Sequence, residues 1–376
     1  MLGIGLMSGT SLDGVDAALV KFEGDKVELI NFIILNYDQD FKDKIFRNLN
    51  DKTARLSEIS TLNFELGHKF KEAVDQVLVG TGFKYNDIEF VASHGQTIWH
   101  DPHGKTPSTL QIGEPSVISY HTNIKTISNF RVMDVASGGE GAPLVPFSEY
   151  YQFRSTGKNI ILQNIGGISN LTYMKKDCTI DEVISFDCGV GNIMIDYFTK
   201  KYFNKPFDED GKIALSGKII PEILNELKKD SFVTKNPPKS TGREQYSHHF
   251  MEDLAQNLNF DKYSKEDIVT TIAEFTVYGI TYNYLNFFDN IDLAVICGGG
   301  SHNKYIMKRL KEILKFEILT GEEFGINSDA KEAVAFAILG YMTLQNKPSN
   351  VKKATGAKDD VILGNITLGP RNQKWM

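Results

Sequence analysis

The sequence predicts an α/β protein built from two domains of similar design. Strand-like and helix-like segments alternate along the whole chain. A pattern of apolar strand, Gly-rich polar turn and apolar strand occurs at the start and again near residue 160. The 376 residues exceed what one hydrophobic core usually serves. We therefore expect domains 1–155 and 156–376, the second with a C-terminal tail that could pack back on the first domain.

The first hairpin is a candidate phosphate-binding turn. An apolar run over residues 1–7 breaks into a Gly/Ser/Thr turn that would expose backbone N–H groups and hydroxyls on one tip. Asp13 and Asp16 lie beside it, where carboxylates could hold Mg²⁺ or its waters. In isolation such a turn is more often an ordinary hairpin turn, and it is the second occurrence of the pattern that favours phosphate binding. The candidate phosphate-binding residues are Ser8, Gly9, Thr10, Ser11, Leu12, Asp13, Gly14, Val15 and Asp16.

The second hairpin repeats this arrangement. A strand-like run over 160–165 leads into Gly166 and Gly167, and apolar residues resume at 171–174. The separation of the two hairpins is too large for a solenoid repeat and fits a duplicated domain. Each half would then begin with a phosphate-binding hairpin.

Other segments follow from hydrophobic spacing. We expect a strand near 27–35, and apolar residues at intervals of three and four over 56–77 predict a long amphipathic helix. A short buried strand over 90–93 should stop at His94, where polar residues would face a ligand crevice. A basic helix is predicted at about 302–315, and a last helix at 330–344.

Asp187 follows an apolar strand-like run and precedes the flexible sequence Gly-Val-Gly-Asn. A carboxylate at such a strand end could act as a general base. It could equally cap the following helix, a role open to Asn192 as well. From these residues alone, both interpretations of Asp187 remain open.

Gly298, Gly299 and Gly300 follow a second buried strand-like run. Three glycines permit close approach of a nucleotide, and a sharp strand-to-helix turn is the alternative. The P-loop and Rossmann spacings are absent. A nucleotide site in this chain would therefore need a geometry other than the P-loop or the Rossmann turn.

The composition excludes several classes of function. A net charge of −7 without a long basic block argues against duplex nucleic acid as a partner. Three scattered cysteines disfavour a disulfide framework or a zinc site. The start lacks a basic, apolar signal segment, and no apolar run reaches membrane-spanning length. We expect a cytoplasmic protein without a membrane partner.

One combination of features is typical of the ATPases that include sugar kinases, actin and Hsp70. It consists of two glycine-rich hairpins, an Asp after a strand and a late Gly-Gly-Gly. In these, two ribonuclease H-like domains enclose an ATP cleft. Over nearly its full length the chain more closely resembles the anhydro-N-acetylmuramic acid kinase family. The resembling segments are 5–16, 94–97, 110–113, 130–131, 138–146, 164–170, 187–192, 240–244, 297–303 and 329–333.

The resemblance implies an activity. The family opens the 1,6-anhydro ring of its amino sugar with water and phosphorylates O6 from ATP with Mg²⁺, giving N-acetylmuramic acid 6-phosphate in cell-wall recycling. Asp187 would activate the water. The first hairpin, with Gly166 and Gly167, would hold the phosphates, and residues 298–300 would contact the nucleotide. A homodimer is the oligomeric state that the family suggests.

The resemblance also implies sugar-binding residues: Thr97, Arg131 and Glu332. The planar guanidinium of Arg131 can bond both oxygens of the lactyl carboxylate. An ion pair between domains is the alternative for Arg131, and an exposed helix face is the alternative for Glu332.

Some positions depart from the family pattern, namely Cys188, Val190, Glu140, Asn129 and Glu114. Extra negative charge from Glu140 or Glu114 could alter the preference for an anionic sugar. The alternatives are therefore a kinase for a neutral anhydro sugar such as levoglucosan, a conventional hydroxyl kinase, and an actin-like or Hsp70-like ATPase switch.

Overall fold

A computed structural model of the chain describes residues 1–9, 12–242 and 245–370, with strands and helices alternating as predicted. The strands are β1 Leu2–Ser8, β2 Gly14–Glu23, β3 Lys26–Asn36, β4 Phe90–Asp101, β5 Ser108–Ile112, β6 Lys125–Ser128, β7 Ile160–Ile165, β8 Ile168–Met174, β9 Ile184–Val190, β10 Leu293–Cys297, β11 Glu317–Thr320 and β12 Asn365–Thr367. The helices are α1 Gln39–Arg47, α2 Leu56–Leu78, α3 Pro115–Thr122, α4 Val132–Ala136, α5 Val145–Phe153, α6 Ile193–Phe203, α7 Lys212–Ser216, α8 Pro221–Leu227, α9 Ser231–Thr234, α10 His248–Asn257, α11 Lys265–Phe287, α12 Lys304–Ile313, α13 Gly321–Phe324, α14 Lys331–Leu344 and α15 Lys352–Thr355.

Two sheets share one topology. In the first, the order is β12-β6-β4-β1-β2-β3, with β5 paired to β4. In the second, the order is β11-β10-β7-β8-β9. Each contains an antiparallel meander (β1–β2–β3 or β7–β8–β9) followed by two strands parallel to its first strand. This repeated order is the ribonuclease H-like arrangement predicted from the two hairpins.

The chain forms two compact units. One comprises Met1–Arg154, Thr179–Asp181 and the chain from Asp329 onward, and the other comprises Ser155–Cys178 and Glu182–Ser328. The expected second domain, 156–376, thus extends beyond the second unit, because α14 packs on β1 of the first. A Cβ on Gly5 would lie 1.9 Å from the Ala333 carbonyl oxygen, so the helix and strand backbones touch.

Each unit has its own hydrophobic core. In the first, α2 buries one face that includes Leu62, Leu66 and Phe70, as its spacing predicts. In the second, α11 is buried along most of its length and packs beside α6 and α7. The basic helix appears as α12, which begins after the side chain of Asn303 caps the N–H groups of Tyr305 and Ile306.

The predicted stop of the fourth strand at His94 is wrong. β4 continues to Asp101, because its outer half leaves the parallel pairing and forms an antiparallel hairpin with β5. Gly95, with φ of +78°, permits the bend between the two halves. Among the described residues, no helix is both long enough and apolar enough to cross a bilayer.

The contact at Gly5 can be tested by substitution. We expect Gly5→Ala to lower the free energy of unfolding by about 3 kcal/mol, at the upper end for overpacking, because the new methyl group meets backbone rather than a movable side chain. Gly279→Ala in α11 is the control, since its nearest atom would be 3.6 Å away. The control should be neutral or stabilising by about 0.5–1 kcal/mol. Equal urea midpoints for Gly5→Ala and the unsubstituted protein would contradict the close contact.

Candidate active site

The first hairpin turn is tied into its unit by Ser8. The Ser8 hydroxyl donates to Gln96 Oε1 at 2.7 Å and lies 3.0 Å from the Tyr37 hydroxyl. The side chain is buried, so a phosphate contact at Ser8 would come from its backbone. Leu12 has φ of +59°, and its N–H donates to the Gly9 carbonyl at 3.3 Å. Thr10 and Ser11 lie outside the described residues.

A group of carboxylates surrounds Asp16 on β2. Burial, together with the charges of Glu332, Asp329 and Asp13, raises the pKa of Asp16 to about 7. Asp13 is exposed and pairs with Lys42 Nζ at 3.5 Å. Neighbouring carboxylates create a negative potential that a divalent cation would relieve. No set of three or more potential metal-binding His, Cys, Asp or Glu residues is arranged around a common point in the described part of the chain.

Arg131 is held by two hydrogen bonds within the first unit. Its Nε donates to His94 Nε2 at 2.9 Å and its Nη1 donates to the Gly141 carbonyl at 2.8 Å. His94 Nε2 is thus an acceptor, and the ring proton lies on Nδ1, 2.8 Å from the Gly95 carbonyl. Burial and the Arg131 charge lower the pKa of His94 to about 3, so the imidazole is neutral. Nη2 has no protein partner among the described residues and remains available to an anion.

Glu332 lies in the first turn of α14. Its side chain is exposed, yet its pKa is raised, chiefly by desolvation, while Lys331 and Arg131 oppose the rise. The exposure matches the alternative of an exposed helix face, while the desolvation reflects protein packed around the carboxylate. The electrostatic interaction with Arg131 places both predicted sugar-binding residues in one region of the first unit.

Thr97 lies on β4 opposite Gln111 of β5. Its hydroxyl accepts a hydrogen bond from Gln111 Nε2 at 3.3 Å. The same strand holds His94, the partner of Arg131, three residues earlier. The His-Gly-Gln-Thr segment therefore supplies a buried anchor for Arg131, a partner for Ser8 and the predicted sugar-binding threonine.

Asp187 lies within β9 rather than at its end. The pairing with β8 shifts between Ser169 and Asn170, which leaves Cys188 as an extra residue next to Asp187. Such a bulge re-aims side chains and is common near active sites. Helix α6 begins at Ile193, six residues later, with Asn192 at its N-cap position, so the alternative of Asp187 as its N-cap is wrong.

The Asp187 carboxylate is fixed through one oxygen. Oδ2 accepts from the Thr241 N–H at 2.8 Å and from the Ser240 hydroxyl at 3.1 Å. Oδ1 has no hydrogen-bond partner within the described ranges. Burial raises the pKa of Asp187, whereas these two hydrogen bonds and the Lys239 charge oppose the rise. A carboxylate with one oxygen anchored and the other open is suited to general-base catalysis.

Lys239 holds the loop that anchors Asp187. Its role was not predictable from the sequence, where it is only part of a Pro-Pro-Lys loop. Its buried ammonium donates to the carbonyls of Phe232 and Val233 at 3.1 and 2.7 Å. The rings of Phe186, Phe232 and Phe287 lie 5.3–5.5 Å from it. The Lys239 carbonyl also accepts from the Asp187 N–H at 3.1 Å. The lysine therefore fixes the loop through both its side chain and its backbone.

The two predicted glycine turns of the second unit meet at Asn192. The carbonyls of Gly166 and Gly167 accept from the N–H groups of residues 191–193. Asn192 Nδ2 donates to the Ile165 carbonyl, and its amide lies beside Gly299 and Gly300. Gly298 has φ of +80°, and a Cβ there would lie 2.6 Å from Asn164 Oδ1. Asn192, which the sequence suggested only as a cap, is thus the link between the turns.

Comparisons with known proteins agree over almost the whole chain. A family model described as anhydro-N-acetylmuramic acid kinase matches residues 1–369. A protein of that name from Clostridioides difficile strain 630 is 47% identical, with 98% of this chain and 99% of that protein aligned. One from Bacillus thuringiensis subsp. konkukian strain 97-27 is 46% identical, with 98% and 99% aligned.

Likeness to solved structures is more distant. The activator of 2-hydroxyisocaproyl-CoA dehydratase from Clostridium difficile with bound ADPNP gives a TM-score of 0.46 at 12% identity, covering 92% of this chain and 96% of that one. A ROK family glucokinase from Streptomyces griseus with glucose and AMPPNP gives 0.41 at 11% identity, with 90% and 99% covered. At this distance the likeness indicates nothing about ligands.

The cluster of carboxylates around Asp16 leads to a prediction about the pH dependence of stability. Because its folded pKa of about 7 lies above the unfolded value, Asp16 makes the protein less stable as pH rises from about 4 to 7. We expect Asp16→Asn to raise Tm at pH 8 and to change it little at pH 4. Mg²⁺ should raise Tm of the unsubstituted protein at pH 8 more than that of the variant. Equal Mg²⁺ effects on both would contradict a cation site there.

Proposed function

The chain belongs to the anhydro-N-acetylmuramic acid kinase family, and on that premise we propose how its own residues perform the ATP-dependent opening of a 1,6-anhydro amino sugar. The reaction adds water at the anomeric carbon and transfers the γ-phosphoryl group to O6. The observation that supports a role for this chain's residues most strongly is the position of Asp187. Ser240 and Thr241 anchor one of its carboxylate oxygens, and the other has no partner among the described residues.

Asp187 would act as the general base. Its open Oδ1 would take a proton from water as the water oxygen bonds to the anomeric carbon, and the C1–O6 bond would break. Such assistance is typically worth about 10²–10⁴-fold. A hydrolase of the inverting type needs a second carboxylic acid to protonate the leaving oxygen. Here the departing O6 would bond to the γ-phosphorus instead, with ADP as the leaving group, so one carboxylate suffices.

The phosphates would be held by backbone groups rather than by side chains. In the first unit, residues 8–16 form the candidate turn, and the Ser8 hydroxyl is already bonded to Gln96. In the second unit, Gly166, Gly167 and residues 298–300 surround Asn192. We propose that each turn is a phosphate-binding element of its own unit, since glycine backbone allows close approach without a side-chain clash.

The sugar would be bound by Thr97, Arg131 and Glu332. The Nη2 of Arg131, which lacks a protein partner among the described residues, could bind a lactyl carboxylate while Nε and Nη1 stay fixed. This arrangement favours an anionic anhydro sugar over levoglucosan, which has no carboxylate. Glu140, one departure from the family pattern, lies 3.4 Å from His103 Nε2, a partner that can offset its charge when protonated.

Mg²⁺ is the metal that this reaction implies. The carboxylates of Asp13 and Asp16 could hold a hydrated cation beside the first turn. Burial is the main cause of the raised pKa of Asp16, and repulsion from neighbouring carboxylates, which a cation would relieve, adds to it. When bound, Mg²⁺ would neutralise negative charge on the phosphates. A cytoplasmic location and a homodimer are further parts of the proposal and follow from the family resemblance alone. Sedimentation of the purified protein would test the dimer.

The role of Asp187 is tested by Asp187→Asn. We expect kcat for 1,6-anhydro-N-acetylmuramic acid to fall about 10²–10⁴-fold, because the amide cannot accept the proton. Asp196→Asn is the matched control, since Asp196 is another partly buried carboxylate of the second unit with a pKa raised to about 6. The control should keep activity within about twofold. Full activity of Asp187→Asn would refute the assignment. Levoglucosan assayed in parallel tests the neutral-sugar alternative.

The anchoring of Asp187 predicts a change in pH dependence. The Ser240 hydroxyl stabilises the charged carboxylate, so Ser240→Ala should raise the pKa of Asp187. The acidic limb of the kcat/KM profile should move to higher pH by up to about one pH unit, with little loss at pH 8. Ser240→Thr keeps a hydroxyl and should restore the original limb. An unmoved limb in Ser240→Ala would show that this hydrogen bond does not tune the base.

A further inference from the structure

The carboxylate of Asp134 on α4 is completely buried. Its Oδ2 accepts from the Gly141 N–H at 2.8 Å. Its Oδ1 accepts from the Thr355 hydroxyl at 2.8 Å and from Asn350 Nδ2 at 3.1 Å, donors that lie 221 and 216 residues further along the chain. Burying a carboxylate is costly unless hydrogen bonds replace its water, and these three donors do so. Asp134 therefore ties the C-terminal part of the first unit to the segment around Gly141.

A loop of residues 138–141 packs between Asp134 and this C-terminal part. The Glu140 N–H donates to the Thr355 carbonyl at 2.7 Å. A Cβ on Gly139 would lie 2.3 Å from Asp134 Oδ2, so the loop backbone lies directly against the carboxylate. Thr355 thus holds the loop twice, through its own carbonyl and through the hydroxyl that it donates to Asp134.

Gly141 connects this buried carboxylate to Arg131. The Gly141 N–H bonds to Asp134, and the Gly141 carbonyl accepts from Arg131 Nη1 at 2.8 Å. His94 fixes Nε of the same guanidinium. Because the guanidinium is planar, the positions of Nε and Nη1 determine where Nη2 points. A displacement of Gly141 would therefore redirect the Arg131 nitrogen that has no partner among the described residues.

We propose that Asp134 and Thr355 are positioning residues for Arg131 and thereby set the recognition of an anionic group on the sugar, an inference that rests on the proposed function. Thr355 orients the Asp134 carboxylate, the carboxylate fixes Gly141, and the Gly141 carbonyl fixes Arg131 Nη1. The Asp134 and Thr355 side chains are buried, so neither touches the sugar itself. The C-terminal segment around α15 thus contributes to a binding residue far from it in sequence.

A purely structural role is the competing explanation for these contacts. Loss of the Thr355 hydroxyl would then lower Tm and reduce the amount of active protein, with no selective change in KM. A positioning role instead requires that any effect on sugar binding passes through Arg131. The two explanations therefore differ in KM, and they differ again when Arg131 is absent.

The test begins with Thr355→Val, which keeps the shape of the side chain and removes one donor to Asp134. We expect KM for 1,6-anhydro-N-acetylmuramic acid to rise about three- to tenfold, with kcat within about twofold of the unsubstituted protein. Thr355→Ser keeps the hydroxyl and should restore KM. Thr122→Val is the matched control, because the Thr122 hydroxyl is also buried in the first unit and donates to the Ile118 carbonyl at 2.7 Å. This control should lower Tm and leave KM unchanged.

A double-mutant cycle with Arg131→Ala then separates positioning from stability. Arg131→Ala alone should raise KM, and adding Thr355→Val to it should change KM by less than about twofold, because the residue being positioned is gone. Thermal unfolding should show all variants folded at the assay temperature. If Thr355→Val does not fold, Thr355→Ala takes its place in the same cycle.

The outcomes distinguish this inference from the proposed function. Unchanged KM in Thr355→Val, or the same rise with and without Arg131, would overturn the positioning role and leave the kinase function intact. Unchanged KM in Arg131→Ala would refute both the sugar-binding role of Arg131 and this inference. If the unsubstituted protein does not phosphorylate the sugar, the proposed function fails, and the same cycle measured as calorimetric Kd values decides the positioning role. Absence of sugar binding would overturn both.

Discussion

The candidate site of the first unit depends on the contact between α14 and β1. The helix backbone lies against Gly5 so closely that no side chain fits there. This contact brings Glu332, at the start of the helix, into electrostatic range of Asp16 and Arg131. One turn further along, the Phe336 ring lies 4.7 Å from the His94 ring. A segment from the end of the sequence thereby completes a group of residues that begins at the first hairpin.

Two charged residues with proposed roles, Arg131 and Asp187, are held in the same way. Arg131 and Asp187 are each fixed by some of their polar atoms, and each has another polar atom without a partner in the part of the chain that the structure describes. Rigid anchoring reduces the reorganisation needed when a reaction begins, which is where electrostatic catalysis gains most. The anchors are themselves buried: neutral His94 supports Arg131, and Lys239 supports the loop that bonds Asp187. Replacing His94 or Lys239 should therefore shift the position of Arg131 or Asp187 more than it changes the charge of that residue.

Local patterns predicted much of the fold. Hydrophobic spacing located α2 and α14, and the two glycine turns indicated a duplicated topology because their signal lies within a few consecutive residues. Features that depend on distant partners were not predictable. The bulge beside Asp187 arises from its pairing with β8, and the extension of β4 requires β5. Lys239 illustrates the limit, since its aromatic neighbours lie as far as residues 186 and 287 in sequence.

The central chemical claim is that water, activated by Asp187, opens the ring while O6 captures the phosphoryl group. Turnover of 1,6-anhydro-N-acetylmuramic acid with Mg·ATP in ¹⁸O-water, quenched before the reducing sugar exchanges its oxygen, tests it directly. Mass spectrometry should find the label at the anomeric hydroxyl of the sugar phosphate and none in the phosphoryl group. Label in phosphate, with the sugar unlabelled, would contradict the mechanism and indicate simple ATP hydrolysis.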